Sequence, residues 1–355
     1  MPNSLPELPE QPDMAIDQAQ CREVLDEIIE KLNEYVFPEA ADAIQQDIHQ
    51  RLKTGGYVDI TSGAQLAQTL TAQLQELSQD RNLRVFFSAV PLPQLDAQSA
   101  PTPEELAQQR HSSSLRNYDF NRVERLCGNV GYLELFGFES PAFAGETAIA
   151  AMNFLAHTSA LIIDLRHNSG GSPGMVALLC SYLFPAHPPI HLNDLYWRAE
   201  DRTQQWWTLP FVPGCRYLDK PVYVLISQDT FSAAEEFAYN LKHLKRAVLV
   251  GETTRGGANP GSGYRINDHF WIFIPTGRAI NPITGGNWEG NGVLPDVKVP
   301  AELALKTAHL MALKTLIEDN TEAGLRRELE ESQQRIEREL VNLRQELISK
   351  LGGRS

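Results

Sequence analysis

One stretch limits what this chain can fold into: an apolar run followed by a serine at the mouth of a helix. Pro221-Val222-Tyr223-Val224-Leu225-Ile226 is short, apolar and rich in β-branched residues, the pattern of a buried strand. Ala233 to Lys245 reads as a helix with Ala234, Phe237, Ala238 and Leu241 on one face. Ser232, within Asp229-Thr230-Phe231-Ser232-Ala233-Ala234-Glu235, therefore sits where a strand turns into a helix. There a hydroxyl can be exposed while the free N–H groups of the first helical turn point at whatever reacts with it. Serine is also a preferred N-cap, and Glu235 three positions on completes a capping box. On this stretch alone, the capping role prevails.

The same alternation recurs. Asn129–Leu135, Ser159–Leu165, Arg246–Gly251 and Phe270–Pro275 read as strands, and Gly145–Ala156 and Gly174–Leu183 as helices. Short strands separated by crossover helices predict an α/β core of mainly parallel strands, over residues 116–315. Residues 1–15, Pro-rich and acidic, read as a flexible arm. Residues 16–90 read as a small all-helical domain that ends in a strand at Leu83–Phe87. Its helices carry the stripes Val24, Leu25, Ile28, Ile29, Leu32, then Ala43, Ile44, Ile48, Leu52, then Leu66, Leu70, Leu74, Leu77. Pro38, Gly55-Gly56 and Thr61-Ser62 punctuate them. Residues 91–115 are polar, Gln-rich and Pro-bearing, a linker with a short helix. Residues 316–355 form a long C-terminal helix; Leu325, Leu329, Ile336, Leu340, Leu343, Leu347 and Leu351 recur on it at helical spacing. That stripe either packs on its own domain or pairs two copies as a homodimer.

Composition removes whole classes of function. A net charge of -14 over 355 residues, with no basic stripe, argues against nucleic acid as partner. No window approaches the ~18 apolar residues of a membrane span. The N-terminus lacks the basic start and apolar core of a signal peptide, so a cytoplasmic location is expected. Cys21, Cys127, Cys180 and Cys215 are far apart and show no ligand spacing, and the nine histidines include no HExxH. Reduced thiols, no metal and no cofactor are expected.

Three glycine-rich loops carry the remaining chemistry. Asp164-Leu165-Arg166-His167-Asn168-Ser169-Gly170-Gly171 lies between a strand and a helix, where adjacent glycine N–H groups can face a developing oxyanion. Gly251-Glu252-Thr253-Thr254-Arg255-Gly256-Gly257 follows a strand directly. Asn287-Trp288-Glu289-Gly290-Asn291-Gly292 offers Glu289, able to orient a base or a water.

The order DLRHNSGG, TFSAAEEFA, VLVGETTRGG, NWEGNGVLPDV resembles the tail-specific (C-terminal processing) serine peptidase family. The branch it is most similar to contains bacterial relatives of interphotoreceptor retinoid-binding protein and also resembles the tricorn protease core. The resemblance covers about Val24 to Leu313 and implies a crotonase-like (Clp-protease-like) core, with no segment matching a PDZ domain. It implies a serine-type peptidase acting on polypeptide, with Ser232 as nucleophile. Gly170 or Gly171 and Ala233 fall on the family's oxyanion hole, and Glu289 on the glutamate of tricorn-like members. Two positions depart from the pattern. Gly257 stands where other members place a lysine base, and Asn82, in Asp80-Arg81-Asn82-Leu83-Arg84-Val85, stands where tricorn-like members place a histidine. Neither can take a proton from serine. His269 and His167 are left as substitute bases. The alternative function is a non-catalytic binding module for an unfolded peptide or an apolar ligand. The retinoid-binding relatives imply such a ligand, and Trp206, Trp207, Trp271 and Trp288 would line its cleft unless they serve only as core.

Overall fold

The computed structural model describes residues 12–93, 102–320 and 322–352, and side chains up to residue 350. Most of the predicted arm and the middle of the predicted linker lie outside the described residues, as does the side chain of Leu351 in the helical stripe. Three helices open the chain: α1 Gln18–Lys31, α2 Pro38–Thr54 and α3 Gly63–Ser78. Their ends follow local chemistry. Asp17 and Gln20 form a capping box for α1, and Pro38 is the N1 residue of α2. Gly55 closes α2 at φ 75°, and the Ser62 side chain accepts from the Gln65 N–H at the start of α3. Leu77 and Ala43, predicted inward, point outward, and Ala41 takes the buried place on α2.

Strand β1, Arg84–Phe87, and helix α4, Pro103–Ser114, lead into β2 Phe120–Leu126 and β3 Val130–Leu135. Then follow α5 Pro141–Leu155, β4 Ala160–Asp164, α6 Pro173–Leu183, β5 His191–Trp197, β6 Arg202–Trp207 and β7 Val222–Ile226. The chain continues with α7 Ala233–His243, β8 Val248–Gly251, β9 Gly261–Arg265, β10 Phe270–Pro275, β11 Gly277–Ile280 and β12 Val297–Lys298. It ends in α8 Ala301–Asp319 and α9 Ala323–Gly352.

The central sheet has the order β12-β8-β7-β4-β3-β2, parallel except for the β2–β3 pair. All five residues of β4 and of β7 are buried, as expected of inner strands covered on both faces. Helices α5, α6 and α7 cover one face. Helix α8 covers the other and is backed by α9, whose Leu329, Ile336 and Leu340 are buried there. An ion pair between Lys306 and Glu339 ties the two helices. The inner part of the C-terminal stripe thus packs on its own chain, while Leu325 stays exposed. Each buried Leu or Ile contributes about 1.5–3 kcal/mol through lost contact with water.

The predicted core strand Phe270–Pro275 belongs elsewhere. It pairs antiparallel with β1 and β9, and Phe270, Ile272 and Ile274 fill the core of the N-terminal helices. The N-terminal unit is therefore a helical layer on a three-stranded sheet, not helices alone. Alternation decides it: the apolar even-numbered residues face α1–α3, while Trp271 turns away and stacks on Phe86 at 4.1 Å. A second small sheet, β11-β5-β6, was not foreseen. Among the described residues, no helix is long and apolar enough to cross a membrane.

Candidate active site

Strand β7 delivers its following turn to the di-glycine loop after β4, and hydrogen bonds fasten the two together. The Thr230 hydroxyl donates to the Leu165 carbonyl at 2.8 Å, and the Phe231 N–H donates to the Asn168 carbonyl at 3.0 Å. Next comes Ser232 with φ 55° and ψ -122°. A side-chain-bearing residue at positive φ is strained by about 1–3 kcal/mol, and an ordinary N-cap sits in the β region instead. Ser232 does begin α7, and the Glu235 carboxylate accepts its N–H at 2.9 Å. The helix start alone does not require the strain.

Gly170 approaches this corner as closely as backbone can. A Cβ added to it would lie 2.7 Å from the Ser232 Cβ and 3.0 Å from the Ala233 nitrogen, and its φ of 101° also demands glycine. The Gly170 N–H is already engaged with Asn168 Oδ1 at 2.9 Å. Phe138 brackets the next residue: its N–H donates to the Gly170 carbonyl at 2.7 Å and its carbonyl accepts from the Ser172 N–H at 2.6 Å. In that bridge the Gly171 N–H faces away from Phe138. The Ala233 N–H, first in α7, has no helical carbonyl behind it.

Glu235 braces the corner from beneath. It is fully buried, and its two oxygens accept from the N–H groups of Ser232, Gly256 and Gly257 at 2.9, 2.7 and 2.9 Å and from the Thr254 hydroxyl. Burial pushes its carboxyl up to about 7, against these four donors, which favour the anion. Sequence reasoning gave Glu235 only a capping role; its spacing from Ser232 shows nothing of the loop 20 residues further on.

Glu289 reaches the site from the loop before β12. Its Oε2 accepts from the Ala258 and Asn259 N–H groups at 2.7 and 3.0 Å, and the Asn82 amide donates to the same oxygen at a long 3.5 Å. Its Oε1 is buried without a partner among the described residues. Burial, reinforced by the charge of Asp80, pushes Glu289 up to about 7. Asp80 is itself buried and raised, chiefly by burial, although Tyr35, Asn82 and Asn259 donate to it. Asn82 and Phe231 line one cavity of about 210 Å³, and Asn82 also meets Glu289, so positions 82 and 289 come together beside the residue that precedes Ser232.

Gly257 has no room for a side chain. A Cβ there would meet Phe231 Cε2 at 2.1 Å, and its own N–H and carbonyl are engaged with Glu235 and with Trp288 Nε1. The Phe231 ring occupies the ground that a side chain at position 257 would enter. The substitute histidines are elsewhere. His167 is exposed, with its ring against Phe136, and His269 donates from Nδ1 to the Ser88 carbonyl at 2.9 Å, against the N-terminal sheet. The four tryptophans share no cleft: Trp288 is buried beside Tyr239, Trp271 stacks on Phe86, Trp207 stacks on His191, and Trp206 packs against the main core. Among the described residues, no cluster of His, Cys, Asp or Glu is arranged to hold a metal ion.

The chain is 25% identical over 153 residues to a tail-specific protease of Haemophilus influenzae, a match covering 40% of this chain and 20% of that protein. It is 27% identical over 177 residues to a carboxyl-terminal-processing protease of Synechocystis, covering 49% and 39%. The chain therefore matches well under half the length of either relative. A crystal structure from Parabacteroides merdae, whose peptidase assignment is provisional, superposes with a TM-score of 0.56 at 16% identity, over 79% of this chain and 90% of that one, a likeness of fold. A profile of Peptidase family S41 matches residues 129–299, the sheet that carries Ser232. Another, described as the N-terminal domain of Peptidase S41 in eukaryotic IRBP, matches residues 14–118, the helical layer that carries Asn82. With both halves of the site inside profiles of one family and in its order, the chain belongs to peptidase family S41 and carries the IRBP-type N-terminal domain.

Proposed function

We propose that the protein is a serine-type peptidase acting on polypeptide through Ser232, with turnover held slow by the residue at position 82. The observation that carries this reading is the strained Ser232 backbone, kept at φ 55° on a strand-to-helix corner. Strain of that kind persists where the surroundings enforce it, and in hydrolases such a corner presents the nucleophile. The Ser232 hydroxyl would attack the scissile carbonyl. The Gly171 and Ala233 N–H groups would stabilise the oxyanion, since the Gly170 N–H is engaged with Asn168. Glu289 would orient a base at position 82, but asparagine there neither takes the hydroxyl proton nor returns it to the leaving amine. The test pairs a fluorophosphonate probe with digestion of an unstructured polypeptide, using wild type and Ser232→Ala. Slow labelling and slow cleavage, both abolished in the variant, are expected; a wild type that does neither over days overturns the reading.

A second reading, a peptide-binding module without turnover, has one observation in its favour. The Asn82 amide and the Phe231 ring fill both positions from which a family base would act. Saturable binding of unfolded polypeptide, unchanged in Ser232→Ala and unaccompanied by labelling, would decide for it.

A further inference from the structure

The cavity shared by Asn82 and Phe231 has a chemistry that neither role of Ser232 uses. Arg81, Arg84 and Arg255 all line it. Among the described residues none of the three forms an ion pair, although ion pairs occur widely on this chain. Arg255 rests its guanidinium over the Phe231 ring at 5.1 Å, directly before the serine. Arg84 is half-buried on β1, and burial together with the charge of Arg255 disfavours its protonated form. The Gln75 amide fixes this wall by donating to the Arg81 carbonyl at 2.9 Å. The acids bonded to its lining are engaged elsewhere: Glu235 is buried and held by the Ser232, Gly256 and Gly257 N–H groups and the Thr254 hydroxyl. Glu289 lies behind Asn82 and is held by the Ala258 and Asn259 N–H groups, and Asp80 is buried beyond it. On a chain of net charge -14, three unpaired guanidinium groups in one small cavity are a local reversal of sign.

The size of the cavity limits its occupant. About 210 Å³ is below the ~300–1,000 Å³ of a typical small-molecule site and suits one side chain or a chain end. Planar guanidinium groups match a carboxylate in a two-bond fork. The ligand that reaches Ser232 is polypeptide, so this inference rests on the peptidase or peptide-binding reading of the site; the anions of polypeptide are carboxylates. We propose that Arg84 and Arg255, with Arg81 at the rim, form a carboxylate subsite beside the Ser232 corner that selects peptides carrying an Asp or Glu side chain there.

Direct binding tests this without requiring turnover. Full-length Ser232→Ala protein is titrated into hexapeptides bearing a neutral fluorophore, and anisotropy is read. One peptide has a central Glu and an amidated end, its isostere has Gln in place of that Glu, and a third has Gln and a free α-carboxylate. The Glu peptide is expected to bind about 10-fold tighter than the amidated Gln peptide, and a preference shown by the free α-carboxylate peptide alone overturns side-chain selection. In Arg84→Gln and Arg255→Gln the preference should fall to about 2-fold or less, and in Arg84→Lys it should fall part of the way, because charge remains but the fork is lost. Melting curves on each variant confirm folding. Equal binding of all three peptides, or a preference that survives in the folded Gln variants, overturns the subsite. Fluorophosphonate labelling of the wild type is scored separately. An unlabelled serine with an intact carboxylate preference removes the peptidase and leaves the subsite, and a labelled serine without the preference does the reverse.

Discussion

The serine corner and the corner opposite it are built to different standards. Around Ser232 every neighbour is specialised. Gly170 is pressed against it, Glu235 gathers four donors beneath it, and the backbone is held at positive φ. Across the cavity lies Asn82, with Glu289 behind it. Glu289 is buried and oriented by two backbone N–H groups, and it faces an amide that does not titrate. On the proposed peptidase reading, the difference teaches that the scaffold of the nucleophile and the means of proton transfer are separable: strain and buried carboxylates are present, and the titrating side chain is not.

The largest effect should come from restoring that side chain. Asn82→His places an imidazole against Glu289 and should raise the rate of fluorophosphonate labelling of Ser232 by about 10²–10⁴-fold, the usual worth of a positioned base. An unchanged rate would break the comparison, because the serine corner would then be at fault. Gly170→Ala attacks the other corner. A methyl 2.7 Å from the Ser232 Cβ, at φ 101°, should cost about 3 kcal/mol in urea denaturation and abolish labelling. A variant of full stability would show the corner to be looser than described.

A third test concerns the carboxyl beside the brace. Glu236 is buried under α7 with Oε1 unpartnered, and burial pushes it from 4.5 up to about 8. The sign follows from linkage: the folded state holds the proton that the unfolded chain releases, so stability declines as pH rises from about 4.5 to 8. Glu236→Gln removes this contribution. The variant should gain about 3 kcal/mol relative to wild type between pH 5 and pH 8, measured by denaturant midpoints at both values. Parallel pH profiles would mean that Glu236 is paired or wet. The smallest effect is expected from Thr254→Val, which takes one donor from Glu235 and leaves the Val293 N–H without its acceptor at 2.6 Å. About 1–2 kcal/mol of destabilisation is expected, with Ser232 still labelled; loss of labelling would show the brace to be fragile.

Local features were legible in the sequence, and distant pairings were not. Ser232 between strand and helix, the glycines at 170 and 171, and the parallel order of short buried strands each follow from a few neighbouring residues. Asn82 and Glu289, 207 residues apart, were placed in one site only by resemblance, and their contact needed the fold. The Phe231 ring over Gly257 was invisible for the same reason: a glycine in a turn looks alike whether it serves a dihedral or a collision. Strand β10 was assigned to the wrong sheet because alternation shows that a strand is half-buried but not which layer covers it. The tryptophans misled because large aromatic residues mark packing as readily as ligands.

That swapped strand has a consequence for biosynthesis. Leu83 and Val85 lie in the same core as Ile272, and β1 finds its partner only in β10. A ribosome making ~5–20 residues per second needs about 10–40 s to travel from one to the other. For that interval the first hundred residues carry an open sheet edge and an unfinished apolar face. The N-terminal unit therefore completes its sheet only after the corner that carries Ser232 has left the ribosome.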